Sequence, residues 1–258
     1  MLSEPHLICI DIDGTLTTDF EGTVPAENAD AIRKARALGH KVAVNTGRSY
    51  FNLPPKLLSP ELPLDCLICA NGSYIRLGGE TVRNVTFPPQ LAHELLSYFL
   101  FEDERFALFE GETLLLKTRH SSPLYGSPGV QIFHPDELQT RFGGAGLNDM
   151  SCEGMLPDAF LDRFAGRVET FACGTFTDVT VPGCSKAVGM ALAAGYLGIP
   201  ETRTVAIGDS GNDLPMLRKA AVAVAMGNAS EAVKREADLV TRGNDDAGVA
   251  DAIRKLFF

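Results

Sequence analysis

The chain has 258 residues, of which 45% are hydrophobic and 22% are charged, and it carries a formal net charge of −10. This composition is typical of a globular protein with a large core or two domains, and its negative charge argues against nucleic acid, whose phosphates require a basic face. No apolar segment approaches the roughly 18–20 residues of a membrane-spanning helix, and the N-terminus lacks the basic region and cleavage site of a signal peptide. We therefore expect a cytoplasmic protein with no membrane partner.

Five short, continuously apolar segments predict strands that are covered on both faces, as in a parallel sheet. In chain order they are LICIDI (7–12), KVAVNT (41–46), DCLICA (65–70), TVAIGD (204–209) and AVAVAM (221–226). Helical segments at 25–39, 185–198 and 212–221 separate many of these strands, and the first begins with proline and ends with glycine. This alternation predicts an α/β fold with a doubly wound, Rossmann-like parallel sheet.

The alternation of predicted strands and helices breaks down between residues 84 and 181. FALFEG (106–111) and TLLLK (113–117) predict a hairpin, and ETFACG (169–174) with TFTDVTV (175–181) predicts a second strand pair. Two amphipathic segments, at 88–100 and 157–166, predict helices, and the glycine-rich FGGAGLND (142–149) predicts a loop. We therefore predict a discontinuous core domain at 1–83 and 182–258, interrupted by an inserted α+β domain at 84–181.

Polar residues follow four of the predicted strands, at the sheet edge where open parallel sheets bind ligands. These are Asp11 and Asp13, then TGR (46–48), then Asn71 and Gly72, and finally GDSGND (208–213). Four carboxylates brought together there, those of Asp11, Asp13, Asp209 and Asp213, would repel one another or take up protons. A hard divalent cation such as Mg²⁺ relieves this repulsion, since it prefers oxygen ligands, and it leaves one aspartate ionised as a nucleophile.

These segments resemble the motifs of the haloacid dehalogenase-like (HAD) phosphatases. DIDGTLT (11–17) is similar to their DxDGT, TGR (46–48) to the second motif, Lys186 to the lysine of the third, and GDSGNDLPM (208–216) to GDxxNDxxM. The insert after ANGS (70–73) resembles the C2-type cap of the Cof-like branch, which selects substrates. One departure is Ala187, where many Cof-like members have glycine after the lysine.

The resemblance implies roles for the residues that match these motifs. Asp11 would attack phosphorus and form an aspartyl-phosphate, while Asp13 would act as the general acid and base. Mg²⁺ would be bound by the Asp11 carboxylate, the Asp13 carbonyl and Asp209, with Asp213 acting directly or through water. The phosphoryl oxygens would be held by Ile12, Thr46, Gly47, Lys186 and Asn212.

Three positions have more than one interpretation. Arg48 either contacts the substrate or pairs with a neighbouring acid, and Asn71 either lines the site or caps a turn. Cys66 and Cys69 form a CxxC pair, but they lie in a predicted strand where positions i and i+3 face opposite ways. Because no second CxxC exists, we interpret them as strand residues rather than as a metal or redox site.

The predicted function is that of a Mg²⁺-dependent phosphatase of a small phosphorylated metabolite, for example a sugar phosphate, acting as a monomer or homodimer. Phosphomutase is an alternative, because phosphomannomutases of the same superfamily begin with a motif similar to DIDGTLT. A phosphoacceptor module is a third hypothesis, since receiver domains also place acids, a threonine and a lysine at strand ends. Receiver domains, however, lack the insert and the DxDGT motif.

Overall fold

A computed structural model describes Leu2, residues 4–119 and residues 129–258. The predicted domains also include residues 1, 3 and 120–128, which lie outside the described residues. Within it, fourteen strands form two separate sheets. In the described residues, no helix combines the length and the apolar character that crossing a membrane requires.

The first sheet has eight strands in the order β14-β13-β12-β1-β2-β3-β4-β5. Six of them run parallel, and β4 and β5 extend one edge as an antiparallel hairpin. The strands are β1 (Leu7–Ile10), β2 (Lys41–Asn45), β3 (Cys66–Cys69), β4 (Tyr74–Leu77), β5 (Glu80–Asn84), β12 (Thr204–Gly208), β13 (Val222–Ala225) and β14 (Leu239–Val240). All five predicted strands are present, and the doubly wound parallel sheet is confirmed, whereas the β4–β5 hairpin was not predicted.

Helices cover both faces of this sheet, as its continuous apolar strands require. Ile8 and Ile10 of β1 pack with α1 and α8 on one face, while Leu7 and Cys9 pack with α5 and α6 on the other. These helices are α1 (Ala26–Ala37), α5 (Lys186–Tyr196), α6 (Leu214–Lys219) and α8 (Gly248–Phe257), and the short α7 (Glu231–Lys234) lies between the last two.

The register of the parallel strands determines where the site forms. Ile10, the last residue of β1, lies level with Val44 of β2 and Ile207 of β12. The polar residues that follow these three strands therefore leave the sheet at the same edge.

The second sheet is antiparallel except for its last pair and has the order β10-β11-β9-β6-β7-β8. Helices α2 and α4 cover one of its faces, and an aromatic core that includes Phe99, Phe109 and Phe160 fills the space between them. Its elements are α2 (Pro89–Phe101), β6 (Ala107–Gly111), β7 (Leu115–Lys117), β8 (Val130–Gln131), α3 (Glu137–Thr140), β9 (Leu147–Glu153), α4 (Asp158–Arg163), β10 (Glu169–Ala172) and β11 (Phe176–Thr180). The limits of the two domains stay predictions.

The prediction of a loop over residues 142–149 was wrong at its C-terminal end. Leu147 begins β9, so Asn148 and Asp149 are strand residues, and β9 lies between β6 and β11. The polar residues of β9 concealed the strand, because Asp149 and Ser151 are buried although they lie on the opposite face from the hydrophobic core residue Met150.

Candidate active site

The chain turns sharply after β1 and leaves Asp11 at the sheet edge. The Asp11 amide donates to the carbonyl oxygen of Ile207 (3.0 Å), which continues the sheet by one residue, and the Ile12 carbonyl accepts from the amides of Thr15 and Thr17. Gly14 makes this turn with φ +78°, and a Cβ there would lie 2.6 Å from Oδ2 of Asp209. Glycine at this position therefore lets the turn after β1 lie close to Asp209, which follows β12.

Lys186 forms ion pairs with both Asp11, after β1, and Asp213, after β12. Its Nζ donates to Oδ1 of Asp11 (2.6 Å) and to Oδ1 of Asp213 (2.5 Å), and only 1% of the side chain is exposed. Lys186 is the first residue of α5, and Ser185 caps this helix by accepting from the Val188 amide. The cap fixes the helix start, so that the lysine side chain reaches across the sheet edge to both acids.

Three carboxylates lie close enough to share one metal ion. Asp11, Asp209 and Asp213 each offer an oxygen, and these oxygens all lie within 4.8 Å of one another. Asp209 accepts from the Thr15 hydroxyl (2.8 Å), and Oδ2 of Asp213 accepts from the amides of Asp209 and Ser210 (2.8 and 2.9 Å). An all-oxygen donor set of this size fits Mg²⁺, with water and a substrate oxygen to complete the coordination.

Negative charge is in excess among these groups, and it shifts their pKa values. Burial and the charge of Asp213 hold the pKa of Asp11 well above its usual range, and the same two causes raise the pKa of Asp209 to about 7. Burial alone would lower the pKa of Lys186, but the charges of Asp11 and Asp213 outweigh it and raise that pKa. A divalent cation would reverse the shift of both carboxyl groups by favouring their ionised forms.

Asp13 lies apart from this group of three and is held by Arg48. The guanidinium donates to both carboxylate oxygens of Asp13, from Nε and Nη2, each at 2.7 Å. Of the two interpretations of Arg48, the structure displays pairing with an acid, and contact with substrate stays a prediction. Because the Asp13 carboxylate is outside the group of three, its predicted contact with metal rests on the backbone carbonyl.

The second polar segment is tightly folded against its neighbours. Thr46 is buried, and its hydroxyl accepts from the Arg48 amide (3.1 Å), while its carbonyl accepts from the Asn71 amide (3.1 Å). An added Cβ on Gly47 would lie 2.7 Å from Oδ2 of Asp178, a residue of the second sheet. The loop after β2 is therefore in contact with the second sheet at Gly47.

Asn71 and Asn212 bind the same residue of the second sheet. Each side-chain amide nitrogen donates to Oδ2 of Asp178 at 3.0 Å. Asn71 has a left-handed backbone conformation (φ 50°) and is fully buried. Asn71 thus lies at the contact between the two sheets, and its predicted place in the site stays a prediction.

Three acidic residues at this contact were not predicted. Glu110 of β6, Asp149 of β9 and Asp178 of β11 are buried on the side of the second sheet that meets the first, and we call them the acidic face. Oε2 of Glu110 accepts from the Ser49 amide (2.9 Å). The sequence held one signal for them: each acid is next to a residue of the second sheet's hydrophobic core, namely Phe109, Met150 or Val179, and strand alternation turns it to the opposite face.

Cys66 and Cys69 lie inside β3, and both are buried. Burial raises the pKa of the Cys66 thiol to about 12 and raises that of Cys69 as well. Thiols with raised pKa values are poor nucleophiles and poor metal ligands at neutral pH, which supports their interpretation as strand residues.

Comparison with known proteins gives similarities over nearly the whole chain. The profile of the haloacid dehalogenase-like hydrolases matches residues 8–139 and 155–253. The chain is 30% identical over 265 residues to a 5-amino-6-(5-phospho-D-ribitylamino)uracil phosphatase of Bacillus subtilis (strain 168), covering 96% of this chain and 94% of the relative. A stress response protein of the same organism is 46% identical over 279 residues, with coverages of 98% and 93%. The solved structure of a sugar phosphatase of HAD subclass IIB superposes with a TM-score of 0.81 at 26% identity and covers 98% of each chain.

Proposed function

The chain belongs to the haloacid dehalogenase-like hydrolases, and from this membership we propose that it is a Mg²⁺-dependent phosphatase acting through an aspartyl-phosphate. It is a phosphoric monoester hydrolase, as its relatives named phosphatases are. We further propose that its substrate is a small phosphorylated metabolite, specifically a sugar phosphate. The relative named a sugar phosphatase and the one named a ribitylaminouracil phosphatase support this class of substrate.

One observation carries the proposal: the Lys186 ammonium bonds to both Asp11 and Asp213, beside a third carboxylate, Asp209. Residues from three separate parts of the sequence meet there. A nucleophilic carboxylate, a cation for phosphoryl oxygens and an oxygen-rich metal site are the groups that phosphoryl transfer requires.

In the proposed first step, the Asp11 carboxylate attacks phosphorus while the bond from phosphorus to the leaving oxygen breaks. Asp13 gives its proton to that oxygen, and the alcohol departs. In the second step, Asp13 takes a proton from water, whose oxygen attacks phosphorus and releases inorganic phosphate and the Asp11 carboxylate. Splitting the reaction in this way returns both residues to their starting states.

The pairing of Asp13 with Arg48 imposes a requirement on the first step. A protonated carboxyl group donates from one oxygen, so that oxygen no longer accepts strongly from a guanidinium. Arg48 must therefore release one of its two bonds to Asp13 before the proton is transferred. We propose that the substrate phosphate draws Arg48 away, since phosphate binds guanidinium in the same two-pronged geometry.

Phosphoryl oxygens would be held by Lys186, the Thr46 hydroxyl, the Asn212 amide, and the backbone amides of Ile12 and Gly47. Asp11, Asp209, Asp213 and the Asp13 carbonyl would hold Mg²⁺, and the bound ion would stabilise the negative charge of the phosphoryl group in the transition state. General acid–base catalysis supplies only about 10²–10⁴ of the rate enhancement. Most of the remainder would come from this positioning and charge stabilisation.

The predicted inserted domain, residues 84–181, would close over the site. Its contacts to Ser49, Asn71 and Asn212 support this proposal, because they join the second sheet to three of the loops that form the site. Closure would exclude water from the aspartyl-phosphate until the alcohol has left.

The test is phosphate release from a panel of phosphorylated metabolites, measured with Mg²⁺ and with a chelator. We expect activity only with Mg²⁺, and we expect Asp11→Asn to lower kcat by more than about 10⁴-fold. Asp162→Asn, at an exposed position of α4, is the matched control and retains activity. Full activity in the chelator would refute the requirement for Mg²⁺, and a fully active Asp11→Asn variant would refute Asp11 as the nucleophile. Formation of hexose 6-phosphate from hexose 1-phosphate would instead identify a phosphomutase.

A further inference from the structure

The acidic face consists of Glu110, Asp149 and Asp178 on three neighbouring strands. Glu110 and Asp149 are directly opposite each other in the β6–β9 pairing, and Asp178 is opposite Ser151, two residues further along β9. All three side chains therefore project from one face of the second sheet, away from its aromatic core. At most 3% of each residue is exposed.

The described residues balance the charge of these acids only in part. Among the described residues, no salt bridge shorter than 4.0 Å reaches Glu110, Asp149 or Asp178, and Arg48, whose charge acts on Glu110, is already bonded to Asp13. Burial, together with the charges of Glu110 and Asp178, raises the pKa of Asp149 well above its usual range. Buried carboxylates in this arrangement are stabilised by hydrogen-bond donors or by positive charge.

Two acceptor oxygens at this face lack a partner in the described part of the chain. They are Oδ1 of Asp149 and Oδ1 of Asn71, and both residues are fully buried. The amide nitrogen of the same Asn71 side chain donates to Asp149 (3.3 Å) and Asp178 (3.0 Å), which places its oxygen beside the acidic face. Buried acceptors without donors are costly, and a bound molecule that donates hydrogen bonds would satisfy both.

The acidic face also lies next to the proposed phosphate site. Oδ2 of Asp178 accepts from Asn212 and closely approaches Gly47, and both of these residues are proposed to hold phosphoryl oxygens. The alcohol part of a phosphate ester bound there would lie beside the acidic face.

We propose that Glu110, Asp149 and Asp178 form the subsite for the leaving group and select esters whose alcohol part carries hydrogen-bond donors but no negative charge. Hydroxyl groups and protonated amines share this chemistry. A carboxylate on the alcohol part would face buried carboxylates, and it could not donate to Asn71 or Asp149. This inference rests on the proposed phosphatase activity and adds the class of leaving group.

Three sugar 1-phosphates with the same ring test the inference on the unmodified protein: glucose 1-phosphate is neutral at the sugar, glucosamine 1-phosphate is cationic and glucuronic acid 1-phosphate is anionic. We expect the first two to exceed the third in kcat/KM by about 100-fold or more, because a mispaired buried polar group discriminates strongly. A preference for glucosamine over glucose would show that charge contributes beyond hydrogen bonding; equal values would show that hydroxyl groups suffice.

Glu110→Gln and Asp149→Asn remove charge while keeping shape, and the glutamine introduced by the first change can still accept from the Ser49 amide. We expect each change to reduce the discrimination against glucuronic acid 1-phosphate by about tenfold, since one repulsive charge is lost. Glu104→Gln, at an exposed acid in the same sequence region, is the matched control and leaves the discrimination unchanged.

Hydrolysis of p-nitrophenyl phosphate distinguishes failure of the subsite from failure of the phosphatase activity. If this ester is hydrolysed with Mg²⁺ but the anionic sugar is accepted as well as the neutral one, or none of the three sugars is hydrolysed, the subsite is wrong while the phosphatase activity stands. The subsite is also wrong if both variants lower kcat/KM equally for all esters, because the acids would then only hold the sheets together. Absence of phosphate release from every ester would overturn both proposals.

Discussion

The strand-end edge of the first sheet and the acidic face of the second are two groups of carboxylates that meet across one contact. At the strand ends, Lys186 bonds to two of the acids, and Arg48 bonds to a third. At the acidic face, the described residues supply amide donors and the Ser151 hydroxyl rather than salt bridges. The difference teaches that the first group is partly balanced by the protein itself, whereas the second depends on what binds beside it.

The largest effect is expected from removing Lys186, because Asp11 and Asp213 would then lack a paired cation, as the carboxylates of the acidic face do among the described residues. For Lys186→Met, we expect kcat to fall by about 10³–10⁴-fold, because a donor to the phosphoryl oxygens is lost. We also expect the free energy of unfolding, measured by urea in a chelator, to fall by about 3–5 kcal/mol. Lys34→Met, at an exposed lysine of α1, is the control. A Lys186→Met protein with unchanged stability would mean that its two ion pairs contribute nothing net.

Arg48 is the cation whose charge acts on both groups, and we expect a smaller effect from its loss. Arg48→Met should lower kcat by about 10–100-fold, because Asp13 loses the two bonds that orient it. KM should also rise, because the substrate phosphate that we propose to draw Arg48 away from Asp13 loses its guanidinium partner. An unchanged KM would mean that Arg48 acts only through Asp13. A large rise in KM at constant kcat would instead identify Arg48 as a residue that only binds substrate. Arg235→Met, at an exposed position, serves for comparison.

The pH dependence of metal binding tests whether the strand-end carboxylates lack a cation. Because the pKa of Asp209 is raised to about 7, the metal-free native protein retains a proton that the unfolded chain loses above about pH 4. Stability without metal should therefore fall as the pH rises through this window. Mg²⁺ should restore this stability. The rise in Tm caused by Mg²⁺ should be larger at pH 8 than at pH 6, by about 2–5 °C.

Asp209→Asn should weaken this pH dependence, because the residue can no longer titrate. Differential scanning calorimetry at both pH values provides the measurement. An equal Mg²⁺ shift at pH 6 and pH 8, in the unmodified protein, would show that proton and metal do not compete at these carboxylates.

The smallest effect is expected behind the strand ends, at the CxxC pair. Cys66→Ala should leave kcat within about twofold and lower the free energy of unfolding by about 1 kcal/mol, as for a small cavity in a core. Stoichiometric zinc in the purified protein, found by elemental analysis, would contradict the interpretation of these cysteines as strand residues.

The strand-end group could be predicted because its information is local. Each polar segment directly follows an apolar strand, and parallel strands bring their ends to one edge, so Asp11 and Asp213 could be grouped without knowing the fold in detail. Lys186 begins a helix rather than ending a strand, and it was predicted only from the resemblance to the third motif. Their roles in catalysis stay predictions. The partner of Arg48 could not be chosen in advance, since substrate and Asp13 offer the same chemistry to a guanidinium.

The acidic face could not be predicted in the same way, because it depends on two sheets approaching each other. Nothing near Asp149 or Asp178 in the sequence indicates that Asn71 lies against them, more than seventy residues away. The start of β9 was missed for a related reason: a strand with one face in the aromatic core and one at the contact carries polar residues at buried positions. Periodicity alone assigns such residues to loops or to solvent.

The missing side chain at Gly47 sets how closely the two sheets can approach. Asp178 comes so near that even one methyl group would collide with its carboxylate. An alanine at this position would act as a wedge that holds the second sheet away from the donors of Asn71 and Asn212. The close approach of the second sheet to the loop after β2 therefore depends on glycine at position 47, and this dependence limits the substitutions that the loop can accept.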